Sequence, residues 1–260
     1  MSCEGNTVYG LIAALFIDAW ANMSESDNPN SPESGSPSSV SSAENHAPGV
    51  LRGEIWLTVQ SHHARRLILG RAATLKKPAI IGLVGFADRL RVIWNAARAD
   101  DPYADWWLIK IDEALERARS RIKSERATLD ECIEQRSALQ IKVVTSSKPY
   151  RVALNFANPY AYWGAHLIAE FDTTARTILT AKHVGLISGN LAEQSLHGCA
   201  GAIRSLFAVP LGYRVLRIDR EAVKANGKTA KEAAEFMGEI PQAVLLGEQL
   251  AALTPRKAQP

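Results

Sequence analysis

Cysteine is scarce in this chain, and its scarcity argues against stabilisation by disulfides or by a structural metal ion. Three cysteines in 260 residues, Cys3, Cys132 and Cys199, are too few and too scattered for a disulfide framework, and they suit a reducing cytoplasm. No Cys-x-x-Cys pair occurs, and the adjacent His62 and His63 would point apart on a helix. The sequence therefore predicts a cytoplasmic protein with no metal site and no cofactor.

The chain also lacks a long hydrophobic run. The apolar stretch VYGLIAALFIDAW at residues 8–20 is too short to cross a bilayer, and Asp18 interrupts it. It follows no basic segment and precedes no clear small-residue cleavage site, so it does not match a secretory signal. We expect no membrane partner.

Basic residues are missing from the first fifty positions. This segment has six acids and no Lys or Arg, and residues 24–48 are rich in Ser and Pro. Such a composition buries too little apolar surface to fold, so residues 1–50 are predicted to form a disordered acidic segment. One hypothesis is that translation starts at Met23.

No group of residues forms a recognisable catalytic set. GLVGFA at residues 82–87 lacks the Gly-Lys-Ser/Thr ending of a phosphate loop. His197 and Cys199 are two positions apart, which separates their side chains by about 200° on a helix, so Cys199 is expected to be a buried structural residue. The Asp-Asp pair at 100–101 suits helix capping. The sequence predicts neither an enzyme nor a small-molecule substrate.

What the chain has in excess is positive charge after residue 50. Of its 27 acids six lie in residues 1–50, so the remainder carries 21 acids against 30 Lys and Arg, a net charge of +9. A body that basic favours an anionic partner, with nucleic acid first and a membrane surface second. The alternative is simply a soluble basic surface.

The apolar pattern predicts an α+β fold that is mostly helical, with short strands. Residues 51–212 are predicted to form a folded basic body, and residues 213–260 a C-terminal extension that is partly helical and then frayed. Residues 102–139 repeat apolar side chains every seven positions and predict one long helix. Its apolar face suits packing inside the chain or a self-association arm. The heptad residues are Leu108, Leu115, Ile122 and Leu129.

Residues 150–208 predict a strand followed by two helices. Apolar side chains alternate along the strand with Arg151, Ala153 and Asn155, which share the opposite face. Asn158 is suited to cap the next helix. The same order occurs at residues 53–99, with a strand at 54–60, a helix at 61–75 opened by Ser61 and another near 85–99.

A strand with an open edge needs a partner, and the sequence leaves two partners open. Paired with its copy in a second molecule, the strand at 150–156 forms an antiparallel ribbon that fits the major groove of DNA. Arg151 then faces guanine, Asn155 adenine and Ala153 a thymine methyl group, while amides near Asn158 hold a phosphate. Paired in cis with residues 139–145, it is an ordinary edge strand. The candidate DNA-binding residues are therefore Lys148, Arg151, Ala153, Asn155 and Asn158.

RADDPYADWWLIKIDEALERAR (98–119), RVALNFANPYAYWGAHLIAEFD (151–172) and TILTAKHVGLI (177–187) resemble the integrating-conjugative-element protein family that includes the AcaB-type transcriptional regulators. The resemblance covers roughly residues 51–250. It implies a protein encoded on an integrating conjugative element or plasmid, and AcaB-type members are DNA-binding activators that resemble ribbon–helix–helix proteins. Two departures are a helix after the strand that is longer than usual in that fold, and the competing strand at 54–60, whose outward face is less basic.

These observations predict a regulator of conjugation genes that binds double-stranded DNA as a dimer or higher oligomer. Its DNA-binding part is expected to be the ribbon–helix–helix-like unit at 150–208. The alternative is a structural or accessory protein of conjugative transfer that uses the helix at 102–139 as its contact surface.

Overall fold

The computed structural model describes residues 54–134 and 141–255, and in these residues the predicted mostly helical α+β composition is confirmed. The predictions about a disordered front and a start at Met23 fall on residues outside this range. In chain order the elements are β1 (Ile55–Val59), α1 (His62–Leu69), α2 (Leu83–Arg98), α3 (Pro102–Glu134), β2 (Tyr150–Leu154), α4 (Pro159–His183), α5 (Gly189–Ala208), a 3-10 turn (Val209–Gly212), α6 (Arg220–Lys224), α7 (Lys228–Met237) and α8 (Gln242–Leu246).

The two strands pair with each other, and each one begins a strand–helix–helix segment. β1 is followed by α1 and α2, and β2 by α4 and α5. The pairing is antiparallel, with Leu57 opposite Val152 and Thr58 opposite Arg151. One chain therefore forms a two-stranded ribbon from two different strands.

Both predictions for the partner of β2 are wrong, because β2 pairs with β1 of the same chain. The sequence left open whether the ribbon is formed by the strand at 54–60 or by the strand at 150–156, and the structure forms it from both. Residues 141–145 form no strand and instead lie alongside α4. There Thr180 Oγ1 accepts a hydrogen bond from the Val144 N–H at 3.1 Å, and Arg176 Nε donates to the Val144 carbonyl at 2.8 Å. Residues 139 and 140 lie outside the described part of the chain.

A buried carboxylate fixes the turn between β1 and α1. Asp172 of α4 is 4% exposed and accepts hydrogen bonds from the N–H groups of Gln60, at 2.9 Å, and Ser61, at 2.7 Å. Ser61 in turn caps α1 by accepting from the Ala64 N–H, as its sequence position predicted. Since α4 follows closely after β2, Asp172 joins the first strand–helix–helix segment to the second.

The helix predicted over 61–75 ends at Leu69 because the chain turns sharply at Gly70, where φ is +69°. A Cβ at Gly70 would lie 2.4 Å from the Ile80 carbonyl oxygen, and a Cβ at Gly82 would lie 2.3 Å from the Ile68 oxygen. Only glycine fits at these two positions without a shift of the backbone. The chain between them forms a hairpin instead of a further helical turn.

α3 packs against α2, α4 and α5 through the apolar face that its heptads predicted. This face is a core face, so a self-association arm that uses it is excluded. Asp101 caps the helix by accepting from the Tyr103 N–H at 2.8 Å, as the Asp-Asp pair suggested. Residues 135–139 of the predicted helix lie outside the described part. The buried heptad residues are Leu108 and Leu115 at 0%, Ile122 at 2% and Leu129 at 4% exposed.

Arg220 attaches the segment after residue 212 to the start of α3. Its side chain is 8% exposed, and its guanidinium is paired with Asp100 at 3.2 Å and with Asp105 at 2.5 Å. It also donates to the backbone carbonyls of Val244 and Leu245. A guanidinium has enough donors to satisfy all four acceptors, which makes a buried charge tolerable here.

We expect Asp172→Ala to destabilise the protein by about 2–4 kcal/mol, because two backbone N–H groups at the β1–α1 turn lose a charged acceptor. Urea unfolding followed by circular dichroism measures the change. Asp88→Ala is the control, since Asp88 is an exposed acid whose ion pair to Arg91 is long at 3.9 Å. Equal stability of the two variants would contradict the proposed role of Asp172.

Arg220→Ala is expected to lower the free energy of unfolding by about 3–5 kcal/mol, because it leaves the buried Asp105 carboxylate without its guanidinium. The same unfolding measurement tests this expectation. Arg117→Ala removes an arginine whose pair with Glu113 is exposed, and it should change stability little.

Candidate nucleic-acid interface

The outward face of the ribbon is exposed and carries mixed chemistry. β1 contributes Trp56 and Thr58, and β2 contributes Arg151 and Ala153, with Trp56 opposite Ala153. The other face of the ribbon covers the helices, and there Leu57, Val59 and Leu154 are buried. Because successive side chains of a strand point to opposite faces, burial of one face leaves the other free for a ligand.

Arg151 is held over the ring of Trp56. Its guanidinium carbon lies 4.3 Å from the ring centroid, and Trp56 remains 44% exposed. Stacking of this kind uses the face of the guanidinium and leaves the N–H donors along its edge available. Arg151 is therefore oriented before any partner arrives, with its bidentate donor edge unused by the stack.

The structure brings four of the five sequence-predicted residues to the surface near the ribbon. Arg151 and Ala153 lie on the outward face, Asn155 follows β2 and is exposed, and Lys148 is exposed in the turn before β2. Asn158 is different, because it is 1% exposed and its Oδ1 accepts from the Tyr160 N–H at 2.8 Å. Asn158 therefore caps α4, as its sequence position predicted, but its side chain is not at the ligand-accessible surface.

The family model described as "Transcriptional regulator AcaB" matches residues 47–257 of the chain. This match covers most of the sequence. The chain belongs to the AcaB family of transcriptional regulators. Its fold is also similar to that of the protein in "Crystal structure of selenomethionine-containing AcaB from uropathogenic E. coli", with a TM-score of 0.52, 15% sequence identity, and coverage of 75% of this chain and 95% of that chain. None of the curated proteins compared with the chain matches it.

Membership of the AcaB family confirms the resemblance seen in the sequence and makes transcriptional regulation the family-level role of the chain. At 15% identity the structural likeness establishes the fold alone. Which residues of this AcaB-family chain meet a partner has to be argued from its own surface.

Sequence reasoning missed Trp56 and Thr58 as members of this surface. Both stand on the outward face of the strand at 54–60, which was given second place because that face is less basic. The available signal was the repeated strand–helix–helix order, since two such segments in one chain supply two strands that can pair with each other. An exposed Trp on a strand was a second signal.

The His197 and Cys199 pair has no catalytic geometry. Cys199 is fully buried, and this burial raises the pKa of its thiol to about 11, with Glu125 adding to the shift. The His197 ring is exposed on α5, where its Nδ1 lies 2.8 Å from the Glu193 carbonyl. Cys199 is thus a buried structural residue, as its sequence context predicted.

Within residues 54–134 and 141–255, no group of three or more His, Cys, Asp or Glu side chains is arranged to hold a metal ion. None of the helices in those ranges combines the length and the hydropathy needed to span a bilayer.

We expect Cys199 to resist alkylation while Cys132, which is half-buried, reacts. The thiolate is the reactive form, so at about pH 8 a thiol with a raised pKa stays protonated and unreactive. Mass spectrometry of peptides after iodoacetamide treatment measures both sites. Equal rates in the folded protein, rather than only in urea, would contradict the burial of Cys199.

Proposed function

We propose that this AcaB-family chain is a sequence-specific DNA-binding regulator that reads the major groove with the outward face of its ribbon. The observation that supports this most is Arg151 stacked on Trp56 on an exposed two-stranded antiparallel ribbon. Such a ribbon fits the major groove, where each base pair presents a distinct pattern of donors and acceptors. The net charge of +9 after residue 50 adds the sequence-independent attraction to phosphates.

Each residue of the face is given a role by its chemistry. Arg151 donates two hydrogen bonds to guanine, and Asn155 pairs in the same bidentate way with adenine. Ala153 and the methyl group of Thr58 offer apolar contact to a thymine methyl group. Lys148, in the turn beside the ribbon, contacts phosphate and contributes affinity without sequence preference.

The ribbon needs no second molecule, because both of its strands come from one chain. A dimer or higher oligomer stays a prediction, and in such an assembly every copy brings a complete ribbon. Binding sites are then expected as repeats of one short motif, one motif for each copy. We extend the proposal to conjugation genes of a mobile element, which the sequence resemblance implies.

The accessory-protein alternative has lost the heptad face of α3 as a contact surface. It uses the helix at 102–139 as its contact surface, and Leu108, Leu115 and Ile122 on the heptad face of that helix are buried against the chain's own helices. No other observation favours it.

Arg151→Ala is expected to weaken binding to the preferred duplex by about 1–3 kcal/mol and to relax preference at one base pair, because a bidentate contact is lost. Lys148→Ala should weaken all duplexes alike and lower the slope of log K against log salt by about 0.9. Selection from a randomised duplex pool, followed by salt titration by fluorescence anisotropy, measures both effects. Arg117→Ala is the matched control, since it removes the same charge from the exposed side of α3.

Identical, sequence-blind losses from Arg151→Ala and Lys148→Ala would remove the ribbon from the reading role while leaving DNA binding in place. The wider proposal is tested by gel-shift assays across the intergenic regions of the element that encodes the protein. Affinity there no higher than for random duplex would overturn sequence-specific regulation by this chain.

A further inference from the structure

Three arginines belong to α1, to the hairpin that follows it, and to α5. They are Arg66 of α1, Arg71 at the start of the hairpin and Arg204 of α5, and α1 packs against α5. Burial of Arg204, together with the positive charges of Arg66 and Arg71, lowers the pKa of its guanidinium. Among the described residues none of the three forms an ion pair with an acid.

Like charges held together oppose folding, although the Arg71 guanidinium also donates to the Pro78 carbonyl at 2.9 Å across the hairpin. Elsewhere in the same chain arginines have acidic partners, as Arg126 has Asp130 at 2.8 Å and Arg121 has Glu125 at 3.2 Å. A group of cations without acidic partners suits an anion from outside the chain.

The hairpin between α1 and α2 extends this positive surface. Arg71 and Ile80 exchange two backbone hydrogen bonds of 2.8 Å at its base, and Thr74 and Lys77 exchange a second pair of 2.9 and 3.2 Å near its tip. Leu75 at the tip is 108% exposed, so the tip projects into solvent. The hairpin is therefore shaped by its own hydrogen bonds, and it presents the side chains of Lys76 and Lys77, which are exposed.

The positive surface is continuous with the ribbon. α1 begins three residues after β1 ends, and its Arg65 lies over the Tyr150 ring of β2 at 5.2 Å. An eight-residue helix is about 12 Å long, and α1 lies between the ribbon's end and the base of the hairpin. That length corresponds to about four base pairs of a duplex at 3.4 Å each.

We infer that Arg66, Arg71 and Arg204, with Lys76 and Lys77 of the hairpin, form a second phosphate-binding surface that holds the DNA backbone beyond the base pairs read by the ribbon. The inference rests on the proposed function and adds to it the reach of the site along the duplex. The cations are distributed over two helices and a hairpin instead of enclosing one pocket. This arrangement suits a row of phosphodiesters better than a single free anion.

The test compares two lengths of duplex with the double variant Lys76→Ala, Lys77→Ala. On a duplex of about 30 base pairs, or three helical turns, the variant should bind up to about 8-fold more weakly per lost phosphate contact at about 0.1 M salt. The slope of log K against log salt should fall by up to about 1.8, equally for specific and random sequences. On a duplex trimmed to about 10 base pairs centred on the ribbon's motif, the variant should match the wild type.

Arg204→Gln provides a second measurement on α5 and should act in the same direction, while Arg117→Ala controls for the loss of one positive charge. Wild-type affinity and slope for both variants on the long duplex would overturn the inference but leave the ribbon intact, since Arg151→Ala would still change base preference. If the variants bind ATP or inorganic pyrophosphate more weakly than the wild type but bind duplex DNA equally well, the inference is also overturned. The arginines and lysines then serve a free phosphate compound. If the wild type binds no duplex, the proposed function itself fails.

Discussion

The Asp172 carboxylate, buried under the turn between β1 and α1, is the interaction on which the architecture depends. It accepts the N–H groups of Gln60 and Ser61, which have no partner in the ribbon ladder or the helix at this point. Buried donors need acceptors, and a charged acceptor is the strongest one available to them. Because Asp172 belongs to the helix that follows β2, this one side chain holds the first strand–helix–helix segment in register with the second. The strands that begin the two segments pair to form the ribbon.

A ribbon made from two unlike strands has a consequence for recognition. Two copies of one strand would present the same residues twice, whereas β1 and β2 present Trp56 and Thr58 on one side and Arg151 and Ala153 on the other. The face is thus asymmetric within a single chain, and Trp56 can orient Arg151 from the neighbouring strand. The positive charge is also placed unevenly, since Arg66, Arg71 and Arg204 lie on the side of α1. We expect a binding site for one chain to have no internal symmetry.

Local chemistry was read correctly from the sequence at Ser61, at Asn158 and in the heptads of α3, where near neighbours decide the structure. Ser61 and Asn158 cap the helices that follow them because each side chain reaches an N–H group two or three residues ahead. The heptads of α3 marked a buried face, and the alternation in both strands marked which side chains point together. Errors arose where distant residues meet: Gly70 ends α1 where Ile80 returns against it, and Asn158 is buried instead of facing a ligand.

By itself the sequence determined the two strand–helix–helix segments, the caps, the core face of the long helix, four exposed candidate residues and the family, since each depends on local periodicity or on an extended run of residues. Only the tertiary structure decided that β2 pairs with β1, that Trp56 joins Arg151, and that α1, which carries Arg66, packs against α5, which carries Arg204. Every strand edge carries the same N–H and C=O groups, so the sequence of one strand does not determine which strand pairs with it. The choice is made by contacts between residues far apart in the chain, such as the one between Asp172 and Ser61.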